Sequence, residues 1–169
     1  AMASGFEKIF MMGPVFRAEQ SFTTRHMTEF TGWDFEFAYL QNHHDIMDRE
    51  EAMLKSGFAK LKEAGLIEED IEVPMVRLSL SEVKGKLKAS GITSEKEGDL
   101  SPEEERGICK IVKEETGSEF VFVTDYPPST RAFYHMRDDV TGLTKSFDLL
   151  YKGVEITTGA QREHRYEKL

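Results

Sequence analysis

Residues 120–157 read FVFVTDYPPSTRAFYHMRDDVTGLTKSFDLLYKGVEIT and contain four short runs of apolar and aromatic residues. Pairs of turn-forming residues separate these runs at Pro127-Pro128, Thr141-Gly142 and Lys152-Gly153. The pattern therefore predicts four strands joined by short turns, over residues 120–124, 131–137, 146–151 and 154–157.

The N-terminal part of the chain also reads as extended structure, with runs over residues 9–12 and 15–19 on either side of a break at Gly13-Pro14. Polar, turn-prone residues follow as far as residue 28, so a hairpin with a long loop is expected. From residue 33 apolar and polar side chains alternate, which puts Asp34 and Glu36 on one face of a strand. The other face is aromatic and carries Trp33, Phe35, Phe37 and Tyr39.

Residues 45–64 show the spacing of a helix that ends at Gly65. Its apolar residues recur every three or four positions and form one stripe: Met47, Leu54, Phe58 and Leu61. This helix is expected to cover one face of the sheet.

Two shorter helices are predicted from their starting residues. Ser79 and Glu82 form a capping box that opens a helix stopping near Gly91. Residues 101–104, Ser-Pro-Glu-Glu, combine a cap residue with proline at the first helical position, and this helix runs to about Gly117.

The order of strands, helices and strands favours an α+β fold with an antiparallel sheet flanked by helices. No stretch is rich enough in Pro, Gly or Ser to separate two domains, so residues 1–169 are expected to form one domain.

The composition excludes several classes of protein. A net charge of −9 argues against DNA binding and restricts any RNA contact to a local surface. The single cysteine, Cys109, excludes a disulfide framework, and no apolar run could span a membrane. A soluble, cytoplasmic protein is expected.

The acidic residues of the helical region are expected to form a solvated face: Glu95, Glu97, Asp99, Glu103, Glu104, Glu105, Glu114 and Glu115.

Residues 16–36 hold a constellation of charged and aromatic residues that could carry chemistry. An arginine suits phosphate because its planar guanidinium donates two parallel hydrogen bonds and keeps its charge. Taken from the residues alone, an arginine placed as Arg17 is beside Glu19 is more often part of a structural ion pair, and a histidine such as His26 is more often an ordinary loop residue.

This constellation resembles motif 2 of the class II aminoacyl-tRNA synthetases, in particular the archaeal-type aspartyl branch with its Arg-His-x-x-Glu-Phe loop end at residues 25–30. The second half of the chain follows the same family in the same order. It does so at Tyr126-Pro127 and at residues 131–134 (RAFY), 146–149 (SFDL) and 153–166 (GVEITTGAQREHRY). The resemblance divides the chain into a motif 2 region at 9–40, a helical insertion at about 77–118, and substrate and magnesium strands at 120–166.

The resemblance implies an ATP site in the motif 2 region. Arg17 would hold the α-phosphate and act in catalysis, while Arg25 and His26 would reach the γ-phosphate. Phe30 would stack on the adenine, and Glu19 would accept its exocyclic amine.

The resemblance also implies a magnesium site and an aspartate pocket. Asp148 and Glu155 match the acidic pair that holds Mg²⁺ against the nucleotide, with Glu155 contributing to the ATP site, although the residues alone read as ordinary strand carboxylates. Asp34 would receive the substrate α-amino group, Arg162 would pair with the substrate side chain, and Gln161 would line the same pocket.

Several parts of the family core have no counterpart in this sequence. The motif 1 helix and strand, the motif 3 strand and helix, a lysine-bearing substrate segment and the anticodon-binding barrel are not found. The core is therefore expected to be incomplete, with a homodimer or a complementing chain supplying the missing motifs. The isolated chain is expected to be inactive or weakly active, although its parent would activate aspartate and charge tRNA.

Two alternatives stay open. Within the enzymes, the rival is an asparaginyl-tRNA synthetase or an asparagine synthetase-like paralogue. Outside them, the rival is a non-catalytic interaction fragment of a split synthetase.

Overall fold

The structure is a computed structural model that describes residues 2–18, 27–71, 74–93 and 96–169. The chain divides into two compact units, Ala1–Leu40 and Gln41–Leu169. No helix in the described ranges is long and apolar enough to cross a membrane.

The first unit is a two-stranded antiparallel ribbon. A short 3-10 helix at Met2–Ser4 precedes strand β1 (Lys8–Phe16), which pairs with β2 (Glu29–Phe37). The expected break at Gly13-Pro14 is wrong, because β1 runs through both residues and Pro14 lies opposite Thr31. A proline lacks an amide hydrogen, which a strand tolerates when one of its edges is unpaired, as in a two-stranded sheet.

The predicted alternation along β2 is confirmed. The rings of Trp33, Phe35 and Phe37 follow one another on one face, with centroids 5.6 and 5.2 Å apart. Tyr39 does not continue this row, since it lies beyond the strand with a φ of 62°.

The second unit contains a four-stranded sheet in the order β3-β4-β5-β6. Its strands are β3 (Val76–Ser79), β4 (Phe120–Thr124), β5 (Ser146–Tyr151) and β6 (Val154–Ala160). The last three strands are antiparallel, as predicted, whereas β3 pairs with β4 in parallel. The sequence prediction missed β3 because this strand has only four residues.

The strand predicted at residues 131–137 is wrong. A 3-10 helix at Pro128–Thr130 leads into this segment, which forms isolated bridges at His135–Arg162 and Arg137–Thr144. Its backbone is shared between two neighbours: Met136 donates to the Gln161 carbonyl at 2.8 Å and accepts from the Lys145 amide at 2.8 Å. Divided in this way, the segment cannot form a continuous ladder with either neighbour.

Three helices cover the sheet, and their predicted limits are confirmed to within a few residues. They are α1 (His44–Glu63), α2 (Leu80–Ala89) and α3 (Pro102–Thr116). Both α2 and α3 begin with a complete capping box, at Ser79 with Glu82 and at Ser101 with Glu104.

The two faces of the sheet have separate apolar cores. On one face, α2 and α3 pack against Val121, Val123 and Leu150. On the other, Met47 of α1 packs with Phe122, Phe147 and Leu149. Residues 77–118 therefore contribute β3, α2 and α3 to the core of this unit.

The expectation of a fully solvated acidic face is wrong at two positions. Glu104 is 1% exposed and Glu105 is 7% exposed. Glu104 is buried because its carboxylate completes the cap of α3 and accepts a hydrogen bond from Lys84 Nζ at 2.7 Å.

Candidate functional site

Arg17 and Phe30 meet on one face of the ribbon in the first unit. Arg17 directly follows β1, and its amide donates to the Thr28 carbonyl at 2.9 Å. Its guanidinium lies 5.0 Å from the centroid of the Phe30 ring. An arginine and an aromatic ring are thus presented together, an arrangement suited to a ligand that carries both phosphate and a flat base.

Asp34 lies on the same face as Phe30. Between them is Gly32, where an added Cβ would be 2.7 Å from Val15 Cγ2 and 3.6 Å from Asp34 Oδ2. Glycine at this position lets Val15 and the Asp34 carboxylate approach the strand closely. The other residues proposed for ATP in this region, Glu19, Arg25 and His26, lie outside the described residues.

In the second unit, Asp148 of β5 is held by Arg131. Asp148 is 3% exposed and accepts from both guanidinium nitrogens of Arg131, one of them at 2.9 Å. The same guanidinium lies 3.6 Å from the ring centroid of Tyr126. Burial, followed by the charge of Asp148, raises the pKa of the Tyr126 hydroxyl above its usual range. The arginine therefore compensates a carboxylate that would be unfavourable to bury alone.

Glu155 of β6 shares a face of the sheet with Asp148. Desolvation of its carboxyl, followed by repulsion from Asp148, raises the pKa of Glu155 to about 7, although the residue as a whole is exposed. Arg131 also donates to the Thr158 hydroxyl at 3.3 Å, so this oxygen lies on the same face as Asp148 and Glu155. The face thus has an excess of carboxylate oxygen that a cation would relieve.

These donors are compatible with magnesium that shares its coordination with a nucleotide. Within the described part of the chain, no three His, Cys, Asp or Glu side chains converge to hold a metal ion. Magnesium commonly takes one or two carboxylates and completes its octahedron with water and substrate phosphates. Asp148 and Glu155 fit that pattern better than they fit a metal cage made by protein alone.

Gln161 and Arg162 follow directly after β6. Gln161 is 8% exposed, and its Oε1 atom is buried without a hydrogen-bond partner in the structure. The Arg162 guanidinium lies 4.9 Å from the centroid of the Tyr134 ring. Burial, followed by the charges of Arg131 and Arg162, lowers the pKa of His135. Arg162, His135 and Gln161 therefore lie near one another, and the guanidinium of Arg162 suits an anionic ligand.

Sequence reasoning assigned no site role to Arg131, Tyr126 or His135. Arg131 lies 17 positions before the carboxylate that it binds, and only the folded sheet brings the two together. The sequence did offer one signal: Arg131 is a charged residue within the run 131–137 that was predicted as a strand, just before the aromatic pair Phe133-Tyr134. A charge in a strand that is partly buried needs a partner.

A protein-family model matches residues 1–169 and is described as tRNA synthetases class II (D, K and N). Among curated proteins, an aspartate–tRNA(Asp/Asn) ligase of Aeropyrum pernix is 40% identical, over 100% of this chain and 41% of its own length. The chain thus spans about two fifths of the length of this relative.

Two solved structures are similar over nearly the whole chain. An aspartyl-tRNA synthetase from Entamoeba histolytica has a TM-score of 0.90 and 32% identity, covering 99% of this chain and 37% of its own. An asparaginyl-tRNA synthetase from Pyrococcus horikoshii, complexed with asparaginyl-adenylate, has a TM-score of 0.81 and 32% identity, covering 99% of this chain and 40% of its own.

Proposed function

Because the chain belongs to the class II tRNA synthetases of the D, K and N group, we propose that its full-length protein activates aspartate with ATP and transfers it to tRNA. The observation that carries this proposal is the pairing of two carboxylates, Asp148 and Glu155, on one sheet face beside Arg131. Such a face suits a cation bound to a polyphosphate.

The first unit carries the groups proposed for the nucleotide. Arg17 neutralises charge on the α-phosphate as the aspartate carboxylate displaces pyrophosphate, and Phe30 stacks on the adenine. Glu19 accepts the adenine amine, and Arg25 and His26 reach the γ-phosphate. Asp34 receives the substrate ammonium group, with which an exposed carboxylate makes a charge-assisted hydrogen bond.

The second unit carries the groups proposed for magnesium and for the aspartate side chain. Asp148 and Glu155 hold Mg²⁺, which when bound neutralises charge on the phosphate oxygens. Arg131 orients the Asp148 carboxylate through two hydrogen bonds. Arg162 binds the side-chain carboxylate of aspartate, and the unpartnered Oε1 of Gln161 lines the same pocket.

The partners proposed for the full-length protein are aspartate, tRNA and a second subunit of a homodimer. We also propose a cytoplasmic location, as expected for an enzyme of translation. The likeness to an asparaginyl-tRNA synthetase of known structure favours one second candidate, activation of asparagine.

Pyrophosphate exchange in the full-length protein, with aspartate and with asparagine, tests these two functions. Arg162 is exposed in this structure, and bound aspartate would cover it. Replacing Arg162 by alanine should lower aspartate activation by roughly 30-fold to several thousand-fold, because removing one partner of a charged pair buried in this way typically costs about 2 to 5 kcal/mol. Arg162→Lys should restore little, since a point charge cannot reproduce the planar guanidinium.

Asparagine activation should change far less in the same variants, because its amide places a donor against the donors of Arg162. Equal losses for the two amino acids would contradict the role given to Arg162. Exchange with asparagine alone in the wild type would replace the first function by the second.

A further inference from the structure

The ladder between β5 and β6 contains one extra residue. Leu149 lies opposite Thr157, but the next residue, Leu150, lies opposite Glu155. Ile156 is therefore left without a residue opposite it, which is the definition of a β-bulge.

This bulge determines which face of the sheet carries Glu155. Thr158 lies opposite Asp148, so these two side chains share a face. Glu155 precedes Thr158 by three positions, and residues an odd number apart lie on opposite faces of a regular strand. With Ile156 as the extra residue, Glu155 instead shares the face of Asp148. Without the bulge, the two carboxylates would lie on opposite faces.

The residue next to the bulge is tied to helix α1. Thr157 points to the opposite face from Thr158, and its hydroxyl donates to Glu50 Oε1. Glu50 is 1% exposed, and its burial raises its pKa to about 6. A buried carboxylate is unfavourable unless a hydrogen bond compensates it, and Thr157 supplies such a bond.

We propose that Glu50 is a positioning residue that fixes the β-bulge at Ile156 by holding Thr157 against α1. Through this bulge, Glu50 keeps Glu155 on the same face as Asp148, in the place where both carboxylates can bind one divalent cation. The cation-binding part of this inference rests on the proposed function, whereas the structural part, the link from Glu50 to the bulge, does not.

The first test measures binding of manganese(II) in the presence of ATP by electron paramagnetic resonance, using the full-length protein. Glu50→Met removes the acceptor of the Thr157 bond and should weaken manganese binding by about 10-fold to 100-fold, the usual effect of losing a residue that orients a metal ligand. Glu50→Gln keeps an acceptor oxygen and should bind manganese nearly as well as the wild type.

Leu54→Ala is the matched control, since it weakens the packing of the same helix one turn away without removing the bond to Thr157. It should lower stability and leave manganese affinity unchanged. An unchanged affinity in Glu50→Met, or an equal loss in Leu54→Ala, would overturn the proposal.

Deletion of Ile156 provides a sharper test. The shortened strand would form a regular ladder in which Glu155 still lies opposite Leu150, so the face would no longer depend on a bulge. Adding Glu50→Met to this deletion should therefore cost no further manganese affinity. A further loss as large as in the undeleted protein would show that Glu50 acts by another route.

Amide hydrogen exchange separates this inference from the proposed function. Glu50→Met should speed exchange at Ile156 and Thr157 more than at β4, whether or not a metal binds. A wild-type protein that binds no manganese would overturn the proposed metal site, and the exchange rates would still decide the structural link. Unchanged exchange at the bulge would overturn that link.

Discussion

At the scale of single residues, Arg131 makes several electrostatic contacts at the sheet. It binds Asp148 through two nitrogens, contacts the Tyr126 ring and reaches the Thr158 hydroxyl. A planar guanidinium can make all these contacts at once, and a lysine could not. The buried carboxylate of Asp148 therefore has Arg131 as its cationic partner, and the Tyr126 hydroxyl as a second hydrogen-bond partner.

We expect Arg131→Met to lower the free energy of unfolding by about 3 to 5 kcal/mol, because it leaves the Asp148 charge buried without its cationic partner. Asp148→Asn added to that variant should recover part of the loss, since no charge then remains to be compensated. Urea denaturation of the wild type, the single variant and the double variant measures both effects. A loss below about 1 kcal/mol in the single variant would indicate that solvent reaches Asp148.

Glu155 gives the stability a dependence on pH. Its pKa is 4.5 in an ordinary environment and about 7 in the folded protein. As the pH rises from 4.5 towards 7, the unfolded chain has lost a proton that the folded chain still holds, so the free energy of unfolding falls.

Glu155→Gln should remove this dependence. The variant should match the wild type near pH 4 and exceed it by about 1 kcal/mol near pH 7.5, less than for a fully buried carboxyl because solvent screens an exposed one. Glu50 also titrates, but it is present in both proteins and cancels in their difference. Denaturation across this range measures the effect, and a difference independent of pH would contradict it.

At the scale of helices and strands, the elements with local signals were predictable. Ser79 with Glu82, and Ser101 with Glu104, mark the starts of α2 and α3 because a capping box involves residues only three apart. The aromatic face of β2 followed from simple alternation.

Features set by distant residues could not be predicted in the same way. The strand β3 has four residues and depends on pairing with β4, more than forty positions later. The bulge at Ile156 depends on how β6 is aligned with β5, which the sequence of β6 alone does not determine. Residues 131–137 have the composition of a strand, but their backbone hydrogen bonds go to two different neighbouring segments. For the candidate site, the family resemblance supplied residue roles, whereas the partners Arg131 and Glu50 appear only in the folded sheet.

Gly159 of β6 allows the Phe147 ring to lie directly on the strand. An added Cβ would be 2.4 Å from Phe147 Cζ, and Phe147 is 1% exposed. Gly159→Ala should therefore destabilise the protein by about 1 to 3 kcal/mol through overpacking. Gly85→Ala, in α2 with nothing within 4 Å of the added carbon, should instead stabilise it by up to about 1 kcal/mol. Thermal unfolding of both variants checks the opposite signs.

At the scale of the whole molecule, one face of the ribbon has a large apolar area, with Lys8 at one end and Thr31 and Glu29 near the other. Phe10, Met12 and Phe16 are each more than 70% exposed, and Trp33, opposite Met12, is 47% exposed. Soluble monomers rarely leave a continuous apolar surface of this kind uncovered.

We expect the 169-residue chain by itself to self-associate through this face. Phe10→Lys should weaken the association at least roughly tenfold, because a buried phenylalanine contributes about 1.5 to 3 kcal/mol. Met11→Lys is the matched control, since Met11 is 70% exposed but lies on the opposite face with Asp34. Sedimentation velocity at several concentrations measures the effect. A monomer throughout, or an equal effect of Met11→Lys, would contradict the expectation.

The division into two units gives each unit its own natural reporter. The single tryptophan, Trp33, belongs to the first unit, so at a protein concentration that keeps the chain monomeric tryptophan fluorescence reports on the ribbon. The single cysteine, Cys109, is buried in α3 of the second unit, and burial raises the pKa of its thiol. Because a buried thiol reacts only when its helix opens, the rate of thiol alkylation follows that unit. Loss of fluorescence signal at one denaturant concentration and onset of alkylation at another would identify two cooperative folding units in one short chain.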